Sequence, residues 1–384
     1  MADHYDVIVI GAGSIGTTAA YSLAKDGVRT LVIDALKSVG QGSNKAAIGG
    51  VRATHSDPAK IRLCMRSIEM LSGWREQTGD DIEWFRGGYV FTAYREKDAA
   101  TLKNLIEAQT RLGLNIRWLD RAGLLSVVPD LCTEDLLGGT YSPEDGHCSP
   151  LLTLHSFYEQ AKNHGAVFQF DENVIGLETE AGRVRGVRTS KGVREAPVVI
   201  NAAGSFANPI AMSAGIALPV KPDAHEAGIT EAVAPFLNPL VVDIRPGPGS
   251  ANVYFFQHRS GQVIFCMTPS PLLWGEQMQE TSGFLPMVAQ RLVALMPRLA
   301  GLRVRRTWRG LYPMTPDGSP IVGFSDEVEG FLIAAGMCGQ GFMLGPGLGE
   351  LLSRMVRKAL LPGDDIILSY LSPKRSFGAQ ERLK

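Results

Sequence analysis

The hexapeptide GAGSIG sets Gly11, Gly13 and Gly16 at the spacing through which a backbone can wrap a pyrophosphate. The first glycine permits a tight turn, the second lets the main chain approach the phosphates, and the third lets a following helix pack closely on its strand. Ser14 and Ile15 open that helix, whose unpaired N–H groups and positive end favour an anion. Asp34, eighteen residues after Gly16 and next to Ala35, can accept hydrogen bonds from both ribose hydroxyls, while its charge disfavours a 2′-phosphate. These residues imply a bound dinucleotide, and they do not separate its flavin from its nicotinamide forms.

The flanking elements are those the motif requires. DVIVI, residues 6–10, is a β-branched run of the kind buried on both faces of a parallel sheet. From Ser14 to Asp26 the apolar positions Ile15, Ala19 and Leu23 recur every four residues, with Gly27 as C-terminal cap, and predict a helix. TLVIDA, residues 30–35, supplies a second strand and completes a βαβ unit. Residues 40–58 are polar and glycine-rich, as suits a loop over a ligand, and a helix resumes near Ile61. A strand at 87–94 and a helix at 96–113 suit a second, α+β unit. Another helix runs from Leu151 to Gly165, strands follow with a turn at Ala181 and Gly182, and APVVINAAG, 196–204, repeats the strand-then-glycine pattern. Proline-rich connections at 219–222 and 235–248 indicate a second departure from the nucleotide unit, with a return expected near Arg303. There is no internal repeat.

Composition narrows the function classes. A chain of 384 residues, 45% hydrophobic and 20% charged, is expected to fold as a soluble protein of two domains. The 38 Lys and Arg against 39 Asp and Glu give no global field for nucleic acid, so a small-molecule substrate is expected. Cys64, Cys132, Cys148, Cys266 and Cys338 lie far apart, with no zinc or disulfide spacing, and suit a reduced, cytoplasmic protein with no metal. Four residues ahead of YDVIVIGAG leave no room for a secretion signal, and no apolar run reaches the ~20 residues of a membrane span.

The rear of the chain distinguishes the cofactor. WRGLYPMTPDGSPIVG, 308–323, and FLIAAGMCGQGFMLGPGLGELLSRMV, 331–356, resemble the C-terminal signature of D-amino acid oxidase-like flavoproteins. Gly336, Gly339 and Gly341 would let the backbone run close to a flat ring, with a helix from near Leu344 aiming its positive end at it. VVINAAGSFAN, 198–208, and residues 136–166 resemble the same family, so the similarity covers nearly the whole chain. LPVKPDAHEAGITE and NPLVVD most resemble sarcosine oxidase β subunits and dye-linked L-proline dehydrogenase β subunits.

That resemblance implies an α/β fold: a Rossmann-like FAD-binding domain of GR2 type (1–85, 140–215 and 303–384) interleaved with a smaller α+β substrate domain (86–139 and 216–302). It implies non-covalent FAD, held by Gly11, Gly13, Ser14, Ile15, Gly16, Asp34, Ala35, Ser43, Asn44, Val174, Ala203, Gly204, Gly336, Gly339, Gln340, Gly341, Phe342 and Met343. Arg309 to Pro313 contains no cysteine for covalent attachment, and Cys338 near the expected ring reads as a small buried hydrophobe. The implied reaction is oxidation of the C–N bond of sarcosine, proline, glycine or a similar amine, by hydride transfer to flavin N5.

Two departures bear on that chemistry. Met343 stands where monomeric sarcosine oxidases place a carboxylate-binding Lys, and GQVIFC, 261–266, lacks the family's oxygen-activating Lys. A dehydrogenase with another acceptor is therefore expected rather than an oxidase. A carboxylate substrate still needs a cation: Arg52 matches a carboxylate-binding position of sarcosine-oxidase-like members, and Arg309 is a second candidate, although glycine oxidases place their Arg where Tyr312 stands. His225, Glu226, Tyr254 and His258 are candidate pocket residues, and Trp308 is expected to pack. An FAD-dependent 2-hydroxy acid dehydrogenase and a non-catalytic FAD-binding subunit are the alternatives, and a hetero-oligomer with other dehydrogenase subunits is the expected assembly.

Overall fold

A computed structural model describes residues 4–378 and 381–383; the residues ahead of His4, where a leader would begin, lie outside it. The strand Val7–Ile10 is fully buried and lies parallel between Val198–Asn201 and Thr30–Ile33, with Val7 opposite both Val198 and Thr30. Its alternate side chains enter different cores: Val7 and Val9 pack with Val32 and Leu348, Ile8 and Ile10 with Leu31 and Phe331. That two-sided burial is why the sequence shows a continuous β-branched run instead of alternation. Phe331–Ala335 and the antiparallel edge Ile321–Phe324 extend this six-stranded sheet on one side, and Val167–Gln169 closes it on the other.

The helix Ser14–Lys25 covers this sheet beside Gly341–Val356. A side chain at Gly345 would meet the Ser14 carbonyl at 2.7 Å, and one at Gly349 the Thr18 backbone at 2.6 Å. Small residues thus allow the two helices to touch backbone to backbone, and Thr18 Oγ1 donates to the Gly345 carbonyl at 2.8 Å. This contact brings the front and rear glycine segments together. The rear helix begins at Gly341, earlier than the expected Leu344, because Gln340 takes the cap position and the Leu344 amide already donates to its carbonyl.

An eight-stranded sheet runs Val304–Met314, Lys221–Ala232, Gln262–Pro269, Ser250–Gln257, Leu240–Asp243, Tyr89–Ala93, Gly138–Ser142, Arg117–Asp120. Two of its members correct the expected crossings. Val304–Met314 does not return to the nucleotide unit at Arg303 but pairs with Lys221–Ala232 from Thr230 opposite Val304 to Lys221 opposite Met314. Gly138–Ser142 likewise stays with Tyr89–Ala93, so residues 140–142 do not begin the nucleotide unit. Main-chain pairing over a whole strand thus overrides the proline signals behind the first expectation and the resemblance of residues 136–166 behind the second. Among the described residues no helix is long and apolar enough to cross a membrane.

Candidate active site

A cavity of about 760 Å³ lies between the two sheets and is lined from both ends of the sequence. Of the residues expected around FAD, Gly11, Gly13, Ser14, Ile15, Asp34, Ala35, Ser43, Asn44, Val174, Ala203, Gly204, Gly339, Gln340, Gly341, Phe342 and Met343 lie on its wall. Gly16 and Gly336 do not. A Cβ at Gly16 would sit 1.8 Å from the Gly11 carbonyl oxygen, so this glycine serves helix packing; Gly336, at φ +70°, turns the chain against Thr315.

At the front, Gly11 adopts φ +102° and its amide donates to the Ile33 carbonyl at 2.8 Å, which fixes the turn. A Cβ at Gly13 would meet no protein atom within 4 Å, so the backbone there borders open cavity at the N-terminus of Ser14–Lys25. Asp34 accepts from the Ala12 amide at 2.6 Å and the Leu36 amide at 2.8 Å. Burial pushes its carboxyl upward against those two bonds, and its oxygens retain lone pairs for further donors. Ser14 Oγ donates to Asn44 Oδ1 at 2.8 Å and Asn44 Nδ2 to the Pro150 carbonyl at 3.1 Å, pinning the polar loop over this end. Open space at Gly13, the N–H-bearing start of Ser14–Lys25 and a partly desolvated carboxylate fit the diphosphate and ribose of FAD.

At the rear, Cys338 has φ +50° and Gly339 φ +78°, and the Cys338 amide donates to the Pro313 carbonyl at 3.0 Å. The Cys338 thiol donates to the Gly336 carbonyl at 3.1 Å, and burial holds it protonated by raising its pKa. Gln340 at the helix start accepts from Lys60 Nζ at 3.1 Å. Sequence reasoning missed Lys60; its only signal was a lysine among Ala59, Ile61, Leu63 and Cys64, on the face of Pro58–Ser72 that becomes buried.

The opposite end of the cavity is built by the eight-stranded sheet, and its register sorts the expected substrate residues. Directly opposed residues of an antiparallel pair share a face, and residues two apart do too. His225 opposes Gly310 and Asp223 opposes Tyr312; His225, Gly310 and Tyr312 reach the cavity. Glu226 opposes Arg309, and both face away. Glu226 accepts from the Thr281 amide at 2.6 Å and hydroxyl at 2.8 Å beside a separate cavity of about 200 Å³, and Arg309 donates to the Gln279 carbonyl at 3.0 Å. The expectation that Glu226 and Arg309 line the main cavity is therefore corrected by strand register. His258 is also outside it, at a strand end, with its ring 2.9 Å from Ser260 Oγ and 3.3 Å from Glu83. Trp308 donates to the Ala46 carbonyl at 2.9 Å, a packing contact.

Arg52 and Tyr254 do reach the cavity. Arg52 is buried, with its guanidinium 5.3 Å from the Phe91 ring centre and 6.0 Å from that of Tyr89. Nη1 donates to the Thr54 carbonyl and meets His55 Nδ1 at 3.2 Å, and Nη2 donates to the Leu383 carbonyl at 2.7 Å. It does not pair with Asp57, whose carboxylate caps Pro58–Ser72 and accepts from Ser319 Oγ at 2.6 Å. Burial, Arg52 and Lys60 hold His55 well below its ordinary pKa, so its ring is neutral. The Tyr89 side chain is a further partner, and a guanidinium carries five N–H donors, more than these partners use. The Tyr254 and Tyr312 hydroxyls meet at 3.0 Å, and burial raises both pKa values, so both stay protonated. This end thus offers the buried Arg52 cation, tyrosine hydroxyls and aromatic walls.

Comparison with known proteins agrees with this geometry. Residues 6–355 match the DAO family, described as FAD dependent oxidoreductase. A hydrogen cyanide synthase subunit HcnC of Pseudomonas protegens is 27% identical, covering 95% of each chain, and a glycine oxidase of Bacillus licheniformis is 28% identical, covering 93% of this chain and 94% of its own. The crystal structure of L-proline dehydrogenase from P. horikoshii superposes with a TM-score of 0.90 at 29% identity over 98% of both chains. The chain belongs to the DAO family of FAD-dependent oxidoreductases, and it is an FAD-dependent amino acid or amine oxidoreductase.

Proposed function

We propose that the chain oxidises the C–N bond of a small amino acid or secondary amine that carries a carboxylate, such as sarcosine, proline or glycine. The observation that supports this most is Arg52, a buried cation on the cavity wall with donors to spare, opposite an end built to accept a dinucleotide. Its planar fork suits a carboxylate. FAD, when bound, supplies a two-electron acceptor for the hydride on the carbon next to nitrogen. The protein's part is placement: Arg52 fixes the carboxylate, Tyr89 and Phe91 exclude water around it, and the Tyr254 and Tyr312 hydroxyls present neutral hydrogen-bonding groups. No strong base is required, since positioning of a neutral amine contributes most of the effect.

We read the six-stranded unit as the cofactor-binding domain and the eight-stranded unit as the substrate-binding domain. FAD is non-covalent in this reading, because the cysteine nearest the rear turn, Cys338, is turned onto the Gly336 carbonyl. A dehydrogenase is favoured over an oxidase: Gln262–Pro269 contributes Cys266 and Thr268 to the wall and no cation beside which superoxide would form. Five unpaired cysteines suit a cytoplasmic setting. One relative is by name a synthase subunit, and a partner subunit that receives the electrons belongs to this proposal.

Anaerobic mixing of the purified yellow protein with sarcosine, L-proline, glycine and 2-hydroxyglutarate tests it. Bleaching by an amine supports the reading. Bleaching by 2-hydroxyglutarate alone overturns it in favour of C–O oxidation, and a flavin that none of them reduces points to a non-catalytic subunit.

A further inference from the structure

Besides the Tyr89 and Phe91 side chains that pack on its guanidinium, Arg52 takes two of its three other partners, Thr54 and His55, from its own loop, and contacts that move with the loop cannot fix it against the rest of the molecule. The third partner comes from more than three hundred residues away, the Leu383 carbonyl. Leu383 itself is 1% exposed and packs in the cluster that holds Tyr89, Phe91 and Phe256. Two residues earlier, Glu381 gathers the Ser56 amide at 2.9 Å, the Ser56 hydroxyl at 2.6 Å, the Asp57 amide at 3.3 Å and the Leu383 amide at 2.9 Å. Its carboxylate also pairs with Lys60 Nζ at 2.8 Å, both side chains being fully buried. Lys60 in turn reaches Gln340, the cap of the rear helix.

We propose that Glu381–Leu383 is a positioning segment of the active site, in which the Leu383 carbonyl sets the plane of the Arg52 guanidinium and the Lys60–Glu381 pair locks that setting to the start of the cofactor-side helix. A buried ion pair contributes little to stability compared with apolar residues of the same volume, whereas its directional contacts fix a geometry. Burial opposes the charge on Glu381, and the neighbouring Lys60 with the Ser56 hydrogen bond outweighs it, so the carboxyl is held well below the usual carboxylate range. The segment touches neither substrate nor cofactor in this proposal; it acts through Arg52 and Gln340. The inference rests on Arg52 being the carboxylate ligand.

The test uses the full-length yellow holoprotein and two probes of nearly equal shape, acetate and acetamide, titrated against the flavin absorbance spectrum. Leu383→Ala is expected to weaken acetate about five- to tenfold, the scale on which a misplaced positioning group costs binding, with acetamide and FAD affinity unchanged. Leu383→Met, which keeps the buried volume, restores the acetate affinity. In the same variants KM for the amine that bleaches the flavin rises while kcat stays within about twofold. Leu383→Ala adds nothing to the loss already produced by Arg52→Met. Should Leu383→Ala fold poorly, the Lys60→Met/Glu381→Gln double variant leaves no buried charge unpaired and is expected to show the same acetate-selective loss. Acetate binding that falls in Arg52→Met and is unchanged in these variants overturns the positioning role alone. Acetate binding unchanged in Arg52→Met itself overturns the reading of Arg52 and this inference with it.

Discussion

The imidazole of His225 lies flat on the phenol ring of Tyr312, ring centres 3.8 Å apart and planes 17° from parallel. The two residues come from adjacent strands, and each is held by a further bond, His225 Nε2 to Asp223 at 2.7 Å and the Tyr312 hydroxyl to Tyr254 at 3.0 Å. Burial outweighs the Asp223 charge and lowers the His225 pKa, so the stack is neutral at physiological pH. A rigid, uncharged wall therefore faces the cavity, and in the proposed function it leaves Arg52 without a competing cation there.

Tyr312→Phe keeps that stack and removes one hydroxyl. Loss of the Tyr254 bond is expected to lower stability by about 0.5–1.5 kcal/mol, seen in thermal unfolding, and to raise KM for the bleaching amine about three- to tenfold. An unchanged KM would place the hydroxyl pair outside the substrate site.

The front glycines separate cofactor binding from folding. Gly13→Val points its side chain into open cavity, so a folded, colourless protein that does not take up FAD is expected. Gly16→Val must displace the Gly11 carbonyl and is expected to fail to fold. Absorbance at the flavin bands and far-UV circular dichroism of the two variants check the contrast; a fully yellow Gly13→Val protein would contradict the placement of the diphosphate.

His147 sits between Phe85, at 5.3 Å, and Phe256, at 4.3 Å, and neither ring nitrogen has a hydrogen-bond partner among the described residues. Burial pushes its pKa down to about 3. A folded pKa below the ordinary value contributes stability that is present above pH ~6.5 and lost as pH falls towards 3. His147→Phe removes that loss, and its acid unfolding midpoint is expected to lie about half a pH unit or more below that of the parent. An equal or higher midpoint in an acid titration followed by tryptophan fluorescence would reject this role.

Asp145 tilts stability the other way. It accepts from the Ala53 amide and the Thr54 hydroxyl, both at 3.0 Å, yet burial pushes its pKa up to about 7. A raised carboxyl pKa contributes stability that is complete below pH ~4 and lost as pH rises through about 7. Asp145→Asn is expected to flatten thermal stability between those limits, and a slope equal to the parent's would show that Asp145 does not titrate in the fold.

The nucleotide end was legible because its determinants are local. Gly11, Gly13, Gly16 and Asp34 belong to one βαβ unit, where turn, helix start and strand end follow one another within thirty residues, and the matching strand Val198–Asn201 carries its own β-branched signal. The rear glycines were legible through their resemblance to a known flavoprotein signature; Gly339 and Gly341 reach the cavity, Gly336 does not, and the helix start moved from Leu344 to Gly341 once Gln340 became its cap.

The substrate end depended on pairing that no local pattern carries. His225 and Glu226 are neighbours in sequence, and one of them had to face away from the cavity; only the register against Gly310 and Arg309 decided which. The same register turned Arg309 outward and brought Tyr312 in. Lys60, Glu381 and Leu383 gave no readable motif because their roles arise from burial, and burial is fixed when Pro58–Ser72, Tyr89–Ala93 and the chain near residue 381 close on one another. Short-range spacing thus determined a bound dinucleotide and the resemblance of the rear segments to known flavoproteins determined the cofactor and the family, while side-chain direction and desolvation, which are properties of the packed whole, decided which residues line the far end of the cavity.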